Sequence, residues 1–212
     1  MLVPHSRAEL RRRMPRLMAG LVLCGLGIAV MVAADLGLGP WDVLHQGLSN
    51  RSGIPIGTVG ILVGVLVLGG WLPLRERPGL GTVLNVLVIG VVIDVTLLFL
   101  DTPSQAWLRW VLMAAGPVLF GVGSGFYIGA GLGAGPRDGI MTGLARRGLP
   151  VGGVRAALEL SVLAGGWLLG GTVGVGTVVF ALAIGPIVHV ALPRLSVRDA
   201  PTTPPPGMGS AR

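Results

Sequence analysis

Six stretches of about 20 residues in this chain run almost free of charge, and they limit its fold more than any motif does. They fall at 17–34, 54–72, 79–100, 108–130, 150–170 and 173–193. Each is long enough to cross a hydrocarbon layer as a helix, and in lipid only helices and closed barrels satisfy every backbone amide. Charged residues make up 12% of the 212 positions and AVILMFWYC 52%, so the charged exterior of a water-soluble domain is missing. The chain reads as an all-α polytopic membrane protein with six transmembrane helices. The pairs 54–72 with 79–100 and 150–170 with 173–193 read as helical hairpins. The split within 150–193 is the least marked, and five or seven spans are the alternatives.

The basic residues give an orientation. All sixteen are Arg, and Arg7, Arg11, Arg12, Arg13 and Arg16 crowd the start. No folded basic domain or aromatic interleaving accompanies them, so nucleic acid is not an expected partner. With the N-terminus inside, thirteen arginines fall on cytoplasmic segments against two, Arg51 and Arg109, on the other face; Arg155 stays within a span. Both termini are therefore expected in the cytoplasm. The first apolar run outlasts a cleavable signal sequence, so it is read as a retained helix. The one cysteine, Cys24, excludes a disulfide framework or a cysteine metal site.

The chain also repeats itself. L-G-L-G-P-W-D-V-L-H-Q-G-L (36–48) recurs as L-G-A-G-P-R-D-G-I-M-T-G-L (132–144), an offset of 96. G-I-P-I-G (53–57) answers G-L-P-V-G (148–152), G-G-W-L (69–72) answers 165–168, and G-L-G-T-V (79–83) answers 174–178. Each copy holds three spans, and an odd number sends the second copy through the membrane in the opposite sense. The expected organisation is two inverted three-helix repeats with short helices after spans 1 and 4, an arrangement common in secondary transporters. The expected divisions are a basic cytoplasmic segment (1–16), the first repeat (17–100), an extracytoplasmic connection (101–107), the second repeat (108–195) and a disordered cytoplasmic tail (196–212).

Each repeated element has a local logic. Gly37 and Gly39, and likewise Gly133 and Gly135, allow a sharp turn; Pro40 and Pro136 suit the first turn of a helix. A short helix is expected over about 40–50, with Asp42 and its counterpart Asp138 able to meet exposed amides at the helix start. Asp42, His45, Gln46 and Ser49 can share one face, matched by Asp138, Met141, Thr142 and Ala145 in the second copy. Two roles stand for the aspartates, structural capping or contact with a substrate or ion. Two placements stand for the short helices, re-entrant or flat at the interface.

Inside the spans the polar candidates are Asn85, Asp94, Arg155, Glu159 and His189, and an ionisable group at bilayer depth is a functional candidate by default. Arg155 lies four residues before Glu159 and can neutralise it; a structural pair and a gating or proton-coupling role are both open. Asp94 and His189 occupy equivalent repeat positions, toward opposite faces of the membrane, where each can guard one mouth of a pathway or simply hydrogen-bond a neighbouring helix. No metal-ligand spacing, activated nucleophile or cofactor motif is present, so neither an enzyme nor a cofactor is expected.

The paired G-x-G-P-x-D elements, above all G-L-G-P-W-D-V-L-H-Q-G-L-S followed by G-I-P-I-G, resemble the YczE-like membrane proteins of the YyaS/YitT superfamily. The resemblance covers nearly all of residues 15–195, with Arg137 standing where the first copy has Trp41. It implies a multi-pass protein of the bacterial plasma membrane. The functional expectation is a small secondary transporter or permease for a small polar or amphipathic solute. Asp42, His45, Asp94, Asp138, Glu159 and His189 are its candidate contacts; Gly37, Gly39, Pro40, Gly133, Gly135, Pro136 and Arg155 are structural or gating. The alternative is a non-transporting accessory protein holding a biosynthetic or export complex. The bilayer is the expected surrounding, with a second copy or another membrane protein as further possible partners.

Overall fold

A computed structural model describes residues 7–197, and every regular element among them is helical. Most of the tail expected over 196–212, and the first six residues, lie outside the described residues. Six helices are long and apolar enough to cross a membrane. They include α1 (Arg7–Ala34), α5 (Leu80–Leu97), α6 (Ala106–Gly129), α8 (Val151–Leu168) and α9 (Val175–Leu195). The remaining span combines α3 (Ile56–Gly69) with the single turn α4 (Trp71–Leu74). The short helices expected after the first and fourth spans are α2 (Pro40–Ser52) and α7 (Pro136–Ala145). The outward faces of the spans carry large apolar side chains in the open: Leu66, Leu72, Leu168 and Leu182 are each more than two-thirds exposed. Such a surface belongs in lipid.

Helix α1 runs ten residues deeper into the basic segment than the apolar run alone suggests, and its arginines do more than mark a topology. Arg13 donates to the Ala130 carbonyl at 3.1 Å and Arg16 to the Leu195 carbonyl at 3.3 Å. They thereby satisfy acceptors left over where α6 and α9 end. At the other end of the bundle, Arg109 in the first turn of α6 donates to the Ala34 carbonyl at 2.7 Å and pairs with Asp35 at 3.2 Å. Helices α1 and α6 therefore run antiparallel. The two ends of the molecule are named below for Asp35 and Arg13.

Small residues let these two helices touch backbone to backbone. A methyl group at Gly20 would lie 2.6 Å from the Gly123 carbonyl oxygen, and one at Gly27 would lie 2.8 Å from that of Gly116. Because Gly116 and Gly123 are the repeat equivalents of Gly20 and Gly27, the contact pattern maps onto itself when the copies are exchanged. The loops do the same. Gly81 donates its amide to the Leu36 equivalent, Leu132, at 2.8 Å, while Gly176 donates to Leu36 at 2.8 Å. Gly37 (φ +114°) and Gly133 (φ +134°) take backbone angles that side chains resist, and these bring the two loops against the starts of α9 and α5. There Thr82 and Thr177 accept hydrogen bonds from the amides of Gly79 and Gly174 at 3.1 and 3.2 Å.

Candidate functional site

The short helices point their N-termini at one another inside the bundle, an arrangement their Pro-first sequences permit because proline lacks the amide that the first turn would leave unpaired. Helix α2 lies along the end of α8, where Gly47 meets the backbone of Gly166; Asn50 and Arg51 donate to the Gly170 and Leu169 carbonyls. Helix α7 lies against α4. Trp71 packs on Gly139 and donates its indole N–H to the Pro136 carbonyl at 2.9 Å. Between the two tips opens a cavity of roughly 600 Å³, the size that small-molecule sites occupy.

The polar wall of this cavity is built from repeat-equivalent positions. Arg137, which replaces the tryptophan of the first copy, lies over the Trp41 ring with its guanidinium carbon 4.8 Å from the centroid. The same guanidinium stands 3.9 Å from Asp42 Oδ1, and His45 Nδ1 stands 3.4 Å from that oxygen. Asp42, His45 and Trp41 are buried, and neither Asp42 Oδ1 nor the Trp41 indole nitrogen has a hydrogen-bond partner. The capping bond expected from Asp42 to the α2 amides is not formed; its carboxylate faces the cavity. Asp138 receives a 3.4 Å hydrogen bond from the Tyr127 hydroxyl.

Five of the six candidate contact residues, Asp42, His45, Asp138, Glu159 and His189, line this one cavity, together with Asn85 and Arg155. Arg155 Nε and Glu159 Oε1 pair at 2.9 Å, one helical turn apart. Asp94 stands apart from them, at the start of α3. Its carboxylate accepts from the Gly57 amide at 2.6 Å and from the Thr58 amide and hydroxyl at 2.7 Å each. The sequence reading missed Tyr127, which carries no motif, and read Trp71 only as part of the repeated G-G-W-L. It noted Arg137 as a departure from the repeat and counted it among the cytoplasmic arginines, whereas the structure places it at the cavity wall, over Trp41.

Equivalent seams of the two halves differ. Helix α3 is closed on α5: Gly57 and Gly90 meet backbone to backbone, and Gly64 meets Val86. Helix α8 makes no matching seam with α9. A methyl group at Gly152 or Gly185, the equivalents of Gly57 and Gly90, would meet nothing within 4 Å. His189, the equivalent of Asp94, is exposed, and Trp167, the equivalent of the buried Trp71, is 64% exposed.

Comparison with known proteins agrees with this architecture. An uncharacterized protein of Haemophilus influenzae is 41% identical over 177 residues, 83% of this chain and 81% of that one. The uncharacterized membrane protein YczE of Bacillus subtilis is 36% identical over 191 residues, 89% of each chain. The uncharacterized protein YyaS of the same organism is 25% identical over 181 residues, 82% of this chain and 89% of that one. No solved structure matches the chain significantly. A family model described as a family of unknown function, DUF6198, matches residues 11–193, and the chain, a membrane protein related to YczE, belongs to that family.

Proposed function

We propose that this protein is a small secondary transporter or permease, built from two inverted three-helix units with the central cavity as its substrate site. The observation that carries the reading is the asymmetry of the two seams. One copy has α3 sealed on α5 and pinned by Asp94; the other has α8 parted from α9, its seam glycines facing open space. Exchanging the roles of the copies would seal α8 on α9 and release α3, opening the cavity to the opposite end. Two seams built from one repeat need differ by only a few kcal/mol. The self-mapping contacts of α1 with α6, and of each loop with the opposite copy, support the inverted pairing and a fixed frame on which the outer helices move. With the arginine-rich ends in the cytoplasm, the present form faces inward.

The test uses single cysteines in a Cys24→Ala background, in sealed vesicles of known orientation. A cysteine at Val188, on the cavity face of α9, is expected to react with an impermeant maleimide from the cytoplasmic side. Introducing Gly90→Val, which forces α3 from α5, is expected to lower that labelling and expose a cysteine at Ile93 from outside. Labelling that ignores Gly90→Val in both places sinks alternating access and moves the accessory reading ahead.

A further inference from the structure

Where the two short helices meet, the cavity wall holds an acid and a base that do not satisfy each other. Asp42 is 3% exposed, and its Oδ1 has no hydrogen-bond partner. The Arg137 guanidinium at 3.9 Å is close enough to attract it and too far to bond. A cation–π contact with Trp41 holds that guanidinium at the cavity wall, and Arg137 makes no hydrogen bond among the described residues. The cavity's other cation, Arg155, is already held by Glu159. The first turns of α2 and α7 add the electropositive ends of two helices, and Asp138 adds a second carboxylate.

We infer that this site takes a zwitterion of the α-amino acid class with an apolar side chain. The inference rests on the transporter reading and names its substrate. The carboxylate of such a ligand accepts the paired N–H groups of Arg137, an arrangement that suits a planar fork. Its ammonium donates to Asp42 Oδ1, and its side chain lies against Ile89, Phe120, Phe180 and Ile184, which line the rest of the cavity. Ligands with one charge are refused by the half they fail to pair. A simple carboxylate leaves Asp42 with only His45 Nδ1, 3.4 Å from its Oδ1, and brings a third negative charge beside Asp42 and Asp138. A simple amine leaves Arg137 unpaired and faces it directly.

The experiment is equilibrium binding of radiolabelled leucine to the full-length protein in nanodiscs. The competitors are 4-methylpentanoate, which lacks the amine, and 3-methylbutylamine, which lacks the carboxylate. Leucine is expected to bind, with each analogue competing at least about tenfold less well, as loss of one charge-assisted partner implies. Arg137→Met is expected to abolish leucine binding, and Asp42→Asn to narrow the gap between leucine and 4-methylpentanoate. The wild-type competition needs no variant, so a variant that misfolds leaves the result readable. Either analogue matching leucine overturns the inference, as does a failure of leucine, methionine and phenylalanine all to bind. The seam-labelling assay on the same protein separates the two proposals. Seam exchange without amino acid binding removes the substrate class and keeps the transporter. Binding with fixed seams keeps the site and removes transport.

Discussion

Asp94 is tolerable inside a span because a neighbouring helix supplies what water would have supplied. Its two oxygens take three hydrogen bonds from Gly57 and Thr58, and they do so at a helix start, where the free amides and the helix dipole both favour a negative charge. Asp94→Ala is therefore expected to cost about 1–3 kcal/mol, seen as a lower midpoint of thermal unfolding in detergent. His189→Ala, at the equivalent but exposed position, is expected to stay within about 0.5 kcal/mol of the parent. Equal losses at both sites would mean that the three bonds contribute nothing specific. The equivalence of these two residues was legible from the repeat, but the capping was not, because the acid and the helix it caps lie 36 and 37 residues apart. Asp42 is the converse case. Its place two residues after Pro40 left capping and ligand contact both open, and the fold turned its carboxylate to the cavity, beside an arginine contributed by the other copy.

Between elements, what matters is which pairs of helices are sealed. Apart from the start of α1, composition located the spans to within a few residues, since a bilayer demands long apolar helices, but it could not say that α3 lies on α5 while α8 leaves α9. The hairpins share the glycines of closest approach, Gly57 and Gly90 recurring as Gly152 and Gly185, but Gly60 and Gly64 have no glycine counterpart, Arg155 and Glu159 standing in their places. The glycines then give opposite expectations. Gly90→Val crowds Gly57 and Ile61 and is expected to lower thermal stability. Gly185→Val points into open space and is expected to leave the present form intact while blocking closure of its seam, so that the protein folds, stays open at the Arg13 end and does not cycle. A further variant borrows the existing latch. His189→Asp places a carboxylate where α8 would bring the Gly152 and Gly153 amides on closing, and is expected to reduce labelling of a cavity cysteine at Ala181 from that end. Unchanged labelling in His189→Asp would show that the second seam does not close as the first one does.

For the whole molecule, the meeting of the two short helices changes what a topology experiment has to ask. Trp41 touches its repeat equivalent Arg137, and Asp42 and Asp138 share one cavity, as residues near an axis relating the two copies would. Cysteines at either tip should therefore be reached from the same side in the present form, whichever way the copies are inserted, and they say nothing about inversion. The informative positions are the far ends of the same helices. Helix α2 finishes near Asn50, bonded to the connection between α8 and α9; α7 finishes at Arg146 and Arg147, near Glu76 and the Pro73 carbonyl of the other copy. On the orientation expected from the arginine count, the second of these ends faces the cytoplasm and the first the outside. A cysteine at Asn50 is expected to react only from the extracytoplasmic face and one at Gly148 only from the cytoplasmic face. Moving two of the N-terminal arginines to the 101–105 connection should weaken that bias and yield a mixed population. Reaction of both cysteines from one face would leave the copies parallel, and the proposed exchange of seams would then lose the symmetry on which it rests.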